Sequence, residues 1–449
     1  MRYFETMDLT TGRLAPGFHR RDMSGRREEL RRLVSFPADE WDAVSGSAFL
    51  QELADVMVES AIGCLSLPLA LADGFLIDGQ PVSIPLAVEE PSVVAAASFA
   101  ARLTRRDGGF QTRASEPVMA AQVFLEHAAP DAERRILDAE RDVRAALGPC
   151  LASLERRGGG YRGIRTRSLG SATLRVDILI DVRDSMGANR LNTAAETARS
   201  VLERASGGRA LMAVLSNAGT ERTARAAFEI PVERLAPGLP PGLDGAEAAR
   251  RIAAASAIAR DDPERAVTNN KGIMNGIASL ALATMNDTRA VEAAAHAWAS
   301  RDGRYRSLSS FTTDGRMLKG EIELPVVMGS AGGSVSFHPA ARACLRILGN
   351  PDGARLCRIA AALGLAQNLA AVRALVTDGI QKGHMRLHLA RVAWQAGARG
   401  EEARRVADEM ANSGVADVDA ARSLLELRRH LEDEHGAPPR QRPRRRSPS

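Results

Sequence analysis

Apolar and polar positions alternate along this chain with two different periods, and the period changes twice. Residues 24 to 60 read as helices, followed by an apolar segment, Ile62 to Ile77, broken at Pro68. Asp78-Gly79 predicts a turn into the strand Pro81 to Val88. Glu89-Glu90-Pro91-Ser92 then predicts a helix start, with proline in the first turn, where its missing N–H costs nothing. The alanine-rich helix Val93 to Leu103 ends before Asp107-Gly108-Gly109.

From about 111 to 230 the pattern shortens. Pro117 to Glu126 reads as an apolar strand, Asp131 to Leu147 as an amphipathic helix, and Tyr161 to Arg167 and Leu174 to Val182 as strands. Asn189 to Ala205 is a second helix and Arg209 to Leu215 a further strand. The order β-α-β-β-α-β is the split βαβ, or ferredoxin-like, arrangement. Long alanine-rich helices resume after the Pro/Gly cluster 237–242, so this region reads as an insertion. Residues 244 to 300 are mostly helical, Glu321 to Met328 is a strand, and Leu356 to Thr377 a long apolar helix. Glycines 379 and 383 punctuate the chain before further helices up to about Glu434, which marks a candidate mobile segment. The expected fold class is α+β. A large, mostly helical domain comprises 1–110 and 220–376, with a ferredoxin-like (βαββαβ) insert at 111–219. A C-terminal helical flap spans 377–434 and an Arg/Pro tail 435–449.

Composition sharpens this picture in three places. With 45% apolar but only 4% aromatic residues, alanine, leucine and valine must fill the core. The net charge of +5 sits in Arg440, Arg442, Arg444, Arg445 and Arg446 of a proline-rich tail, for which disorder is the expectation. The body has no basic stripe interleaved with aromatics, which argues against nucleic-acid binding. Cys64, Cys150, Cys344 and Cys357 form no C-x-x-C pair, as expected of reduced thiols in a cytoplasmic protein. No uncharged run reaches membrane-spanning length, so no membrane partner is expected.

Three lysines stand against 57 arginines, and one of them, Lys271, lies in Asn269-Asn270-Lys271-Gly272. Ammonium is a compact point charge with a tunable proton, whereas guanidinium stays charged, so a position needing the former resists an arginine bias. Gly158-Gly159-Gly160-Tyr161-Arg162-Gly163 matches G-x-G-x-x-G, but a charged stretch precedes it and a strand follows, the reverse of the dinucleotide fingerprint. The turn Asp184-Ser185-Met186-Gly187-Ala188-Asn189 joins a strand to a helix start and suits phosphates or ribose, or is a turn capped by Asp184 or Asn189. His384 and His388 share a helical face, but Met385 stands where H-E-x-x-H has glutamate, so no metal is expected. Gln367-Asn368 is an amide pair inside an apolar helix and needs partners there. Asn286-Asp287-Thr288-Arg289 reads as an N-cap or ion pair.

Together these segments resemble hydroxymethylglutaryl-CoA (HMG-CoA) reductase of the soluble class II type. Glu89-Glu90-Pro91-Ser92, Asn270-Lys271-Gly272-Ile273-Met274-Asn275-Gly276, Asn286-Asp287-Thr288-Arg289, Gly364-Leu365-Ala366-Gln367-Asn368 and Gly383-His384-Met385 carry the likeness, in order, from about Arg13 to beyond 425. The resemblance implies four catalytic groups: Glu90, Lys271, Asp287 and His384. Two hydrides from NADPH or NADH would reduce (S)-HMG-CoA to (R)-mevalonate and CoA, or the reverse. Lys271 would hold the oxyanion in a dry pocket, His384 would protonate the CoA thiolate, Glu90 would supply a proton, and Asp287 would link Glu90 to Lys271.

The same likeness assigns Ser92, Arg265, Asn275, Gln367 and Asn368 to the hydroxymethylglutaryl group. It assigns Asp184, Met186, Gly187, Asn189 and Asn217 to the dinucleotide on the insert. It further implies a homodimer or higher homo-oligomer with active sites between subunits, closed by a lid carrying His384. Departures are Ser60 in Glu59-Ser60-Ala61-Ile62-Gly63, where an asparagine is usual, and Asn269, where a histidine is. Gly148-Pro149 stands where NAD-preferring relatives carry Asp-Pro. With Arg156, Arg157 and Arg162 nearby, that leans the cofactor toward NADPH. The competing reading is a non-catalytic, dinucleotide-binding regulatory protein on the same scaffold.

Overall fold

The computed structural model describes residues 21–22, 24–25, 27–28, 48–170, 173–377, 379, 389–414 and 416–434. The chain divides into two compact units, Met1–Pro68 and Leu69–Ser449. In the first, α1 spans Ala48–Met57. Most of the expected helical region 24–60, the residues 380–388 and the Arg/Pro tail lie outside the described residues.

The second unit opens with the antiparallel hairpin β1 (Leu69–Ile77) and β2 (Gln80–Ala87), joined by the expected turn at Asp78-Gly79. Helix α2 (Val93–Arg105) begins two residues later than Pro91, because Ser92 adopts the left-handed conformation (φ 72°) and so ends the extended segment. Proline therefore stands ahead of the helix rather than in its first turn.

The insert forms as its alternation predicts. β4 (Val118–Glu126), α3 (Ala132–Asp138), α4 (Glu140–Glu155), β5 (Gly160–Ser168), β6 (Leu174–Asp181), α5 (Ala188–Ser206) and β7 (Arg209–Leu215) follow one another. The four strands lie in the order β5-β6-β4-β7, all antiparallel, which is the ferredoxin-like sheet. One expected helix proves to be two: the chain breaks at Ala139, and α4 runs on through Gly148 and Pro149. An interior proline removes one N–H from a helix, and the buried Val143, Leu147, Leu151 and Leu154 hold α4 across it.

The short strand β3 (Gln111–Ala114) does not join that sheet. It pairs with β8 (Thr223–Pro231), giving a second four-stranded sheet in the order β3-β8-β10-β9, with β9 at Ser309–Thr313 and β10 at Met317–Pro325. The insert's own sheet thus runs from 118 to 215, and β10 starts four residues before the expected strand Glu321 to Met328. Around this second sheet lie α6 (Gly245–Asp261), α7 (Pro263–Ala283), α8 (Thr288–Ala299), α9 (Gly333–Phe337), α10 (Pro339–Ile347) and α11 (Gly353–Val376).

Each part has its own core. Ile273, Ile277, Leu280, Leu363 and Phe228 belong to the main one, and Val123, Ile178, Leu147 and Leu202 to the insert. Residues 389–395, α12 (Gly400–Ser413) and α13 (Val418–Glu434) share a third, with Val392, Val406, Met410 and Leu425. α11 is long and apolar enough to cross a membrane, but 78% of its apolar window is buried within the protein, as befits a core helix.

Candidate functional site

Helix α7 builds the centre of the site. Asp262 caps it, its Oδ1 accepting the Glu264 N–H at 3.1 Å, and Pro263 occupies the first turn. Ile273, Ile277 and Leu280 turn one face to the core. Arg265, Thr268, Lys271, Asn275 and Ser279 recur every three or four residues and so share the other face. On that face the Lys271 Nζ lies 3.1 Å from Glu90 Oε2, in the turn between β2 and α2. Within one chain the Lys271 side chain is 64% exposed, not dry, because it stands on a ridge between two cavities.

The larger cavity, about 700 Å³, is lined by Glu90, Ser92, Arg265, Lys271, Asn275 and the Gln367-Asn368 pair. Seven of the residues expected to act on substrate therefore meet in one place. Gln367 is 5% exposed and its Oε1 has no hydrogen-bond partner, so this wall keeps an unused acceptor. Asn368 differs. Its Oδ1 accepts from Ser309 Oγ at 2.7 Å and its Nδ2 donates to Asn269 Oδ1 at 3.0 Å. Asn269 in turn donates to Ser307 Oγ at 2.9 Å. The amide expected to bind substrate is held within the protein, and Asn269 is what holds it.

The second cavity, about 430 Å³, lies on the other side of the Lys271–Glu90 pair and is bounded by Arg289, Glu292 and His296 of α8. His296 Nδ1 and Tyr305 Oη share a hydrogen bond of 2.6 Å, and burial pushes the Tyr305 phenol up. A histidine in an alanine-rich helix gives no sign in sequence that it will face a cavity, and it was missed for that reason.

Asp287 does not join Lys271 and Glu90 within the chain. It caps α8, its Oδ1 accepting the N–H groups of Arg289 (3.0 Å) and Ala290 (3.2 Å) and the Arg289 Nε (3.0 Å). Burial works to raise its pKa, but Arg289 and the backbone donors together hold the carboxyl below the usual range. The side chain lines a third cavity, of about 300 Å³, with Met186, Gly187, Asn189, Arg190 and the glycine-rich segment 329–333.

The 185–190 turn is built for close approach. Gly187, at φ 87°, is the N-cap of α5, and a Cβ there would lie 2.5 Å from Val182. No side chain caps α5, so neither Asp184 nor Asn189 takes the role open to it from sequence. Asp184 instead accepts the Gly353 N–H at the start of α11, at 2.8 Å, while its carbonyl accepts from Ser330 and Ala331. Gly329 lets the two loops touch, since a Cβ there would lie 2.7 Å from the Met186 nitrogen. The Asn286 side chain brackets Gly329 at 2.8 and 3.1 Å. Asn217 is exposed and lines none of these three cavities.

His384 lies outside the described residues. Just beyond it, Arg391 Nη2 donates to the carbonyl of Glu89 at 2.6 Å, next to Glu90. None of Arg156, Arg157 and Arg162 lines the third cavity. Arg162 is engaged with Asp181 at 2.7 Å and the Gly158 carbonyl at 3.1 Å. The arginine that does line it is Arg190, whose Nη1 donates to the Cys150 carbonyl at 3.1 Å, two residues from Gly148. One arginine among 57 carries no label in sequence.

Fold and site together give an α+β chain with a ferredoxin-like insert and a cleft that holds a lysine–carboxylate pair. A family model for hydroxymethylglutaryl-coenzyme A reductase matches residues 22–389. The 3-hydroxy-3-methylglutaryl-coenzyme A reductase of Archaeoglobus fulgidus is 40% identical over 92% of this chain and 94% of its own length. The probable enzyme of the same name from Borreliella burgdorferi is 39% identical over 75% of this chain and 77% of its own. The solved class II enzyme of Streptococcus pneumoniae, bound to NADPH in open conformations, is 37% identical, with a TM-score of 0.70 over 90% of this chain and 99% of that one. The chain belongs to the hydroxymethylglutaryl-coenzyme A reductase family.

Proposed function

We propose that the Lys271–Glu90 pair is the catalytic centre for reduction of the (S)-HMG-CoA thioester to (R)-mevalonate and CoA, or for the reverse oxidation. The observation that carries this reading is the 3.1 Å ion pair on the rim of a cavity with an unused buried amide acceptor. Lys271 meets the oxygen on which negative charge develops, and arginine's planar fork would not replace it there. Glu90, in contact with the ammonium, is placed to pass a proton to that oxygen. Arg265 suits the free carboxylate of the hydroxymethylglutaryl group, and Gln367 Oε1 its hydroxyl proton. Ser92 and Asn275 complete that wall, while Asn368 steadies it. His384 would protonate the departing thiolate.

The residues around the third cavity fit a dinucleotide: an uncapped helix start, a glycine without room for a Cβ, and Arg190. NAD(P)H, when bound, supplies the hydride. Met186, Gly187 and Asn189 would contact it. Gly148, with no carboxylate to repel a 2′-phosphate, and Arg190 close by favour NADPH, as does the NADPH-bound pneumococcal relative. The protein would work in the cytoplasm.

Asp287 and Lys271 line different cavities of one chain. We therefore read the working unit as a homodimer in which each copy's Asp287, beside its own bound dinucleotide, meets the other copy's Lys271. The test is complementation. Lys271→Ala and Asp287→Ala homodimers should both be inactive in HMG-CoA-dependent NADPH oxidation. A random mixture refolded together should recover about a quarter of wild-type activity, one intact site in half of the dimers. No recovery would remove the shared site. No oxidation by wild type with either nicotinamide would leave the regulatory reading in its place.

A further inference from the structure

Arg222, in the turn before β8, is 3% exposed and forms no ion pair among the described residues. Its Nη1 donates to the Ser185 carbonyl at 2.9 Å and its Nη2 to the Met328 carbonyl, while the buried Nε has no partner. Those two carbonyls belong to the segments that wall the third cavity: Ser185 in the turn ahead of α5, and Met328 immediately before Gly329. Guanidinium does not shed its proton to escape burial. The two carbonyl dipoles engage Nη1 and Nη2 but do not cancel the charge, and an uncompensated buried ion is costly until an anion comes near. Around the cavity, Asp287 is paired with Arg289, and Asp184 is an exposed carboxylate held by a backbone N–H. Arg190 is the second cation.

We propose that Arg222 is a positioning residue for the cofactor: it ties the 185–190 turn to the 328–333 segment, and its unpaired charge attracts the phosphates of a dinucleotide to the start of α5. The proposal rests on the reading of this cavity as the dinucleotide site and adds the source of its electrostatic pull. Buried beneath the loop, such a charge is screened far less than a surface arginine.

The experiment is titration of NADPH by fluorescence at low and physiological ionic strength, using full-length wild type, Arg222→Met and Arg222→Lys. Arg222→Met should weaken NADPH by about tenfold or more and flatten the salt dependence, with KM for HMG-CoA unchanged. Arg222→Lys, which keeps the charge and loses the fork, should stay within a few-fold of wild type and keep its salt slope. A folded Arg222→Met that binds NADPH like wild type overturns the proposal. So does equal weakening in both variants with an unaltered salt slope, the signature of a bracket that only packs. Should Arg222→Met fail to fold, Arg222→Gln, which also removes the charge, takes its place and is read by the same two criteria. If wild type binds neither NADPH nor NADH, the reading of the cavity fails first and the proposal falls with it.

Discussion

Lys271 Nζ sits 3.1 Å from Glu90 Oε2, although 181 residues separate them in the chain. One comes from the middle of α7, the other from the turn between β2 and α2. An exposed pair of this kind contributes little to stability, about 0 to 1 kcal/mol. Its placement between two cavities is what gives it meaning.

Lys271→Arg should therefore fold normally, with a melting temperature close to wild type, because the side chain is largely exposed. Its kcat for HMG-CoA reduction should fall by about 10² or more, the usual scale for losing an oxyanion donor. Steady-state NADPH oxidation checks this, and turnover near wild type would remove the oxyanion role.

Asp287→Asn separates two duties. Asparagine also caps helices, so α8 should persist, and the melting temperature at neutral pH should fall only by the part that the charge contributes. The carboxylate is lost, and kcat should drop by at least about tenfold. Because the folded pKa of Asp287 is depressed, its contribution to stability is present above the unfolded value of 3.8 and is lost as pH falls through the lower folded value. Acid melts should show wild type and Asp287→Asn converging at the acid end. A gap that widens there instead would contradict the assignment.

Gly329→Ala tests the contact between the two loops. The added methyl would lie 2.7 Å from the Met186 nitrogen and 2.8 Å from the Asp184 carbonyl, so one loop must shift. NADPH affinity should fall by about tenfold, equivalent to roughly 1.4 kcal/mol, while KM for HMG-CoA stays unchanged. Isothermal titration with each ligand separates the two effects.

Gly148→Asp addresses cofactor choice. A Cβ at this position meets nothing within 4 Å, so the substitution should cost the fold little. The new carboxylate, near Arg190 through the Cys150 carbonyl, should repel a 2′-phosphate and lower kcat/KM with NADPH by about tenfold, sparing NADH. Equal losses with both cofactors would place Gly148 away from the adenosine ribose.

Sequence by itself determined what local chemistry and periodicity can encode. The β-α-β-β-α-β order, α11 as an apolar core helix, the cap at Asp287 and the singular lysine at 271 were all legible, because each depends on residues within a few turns or on composition. Family likeness added expected roles for residues too far apart to be related by spacing. Tertiary structure alone decided which long-range partners each polar group finds. It gave Asn368 to Asn269, Asp184 to the start of α11, β3 to the second sheet, and Asp287 to a cavity apart from Lys271. It also picked Arg190 and Arg222 out of 57 arginines. The reason is physical: a side chain's type sets which bonds it can form, but burial and packing across the fold decide which of them it makes.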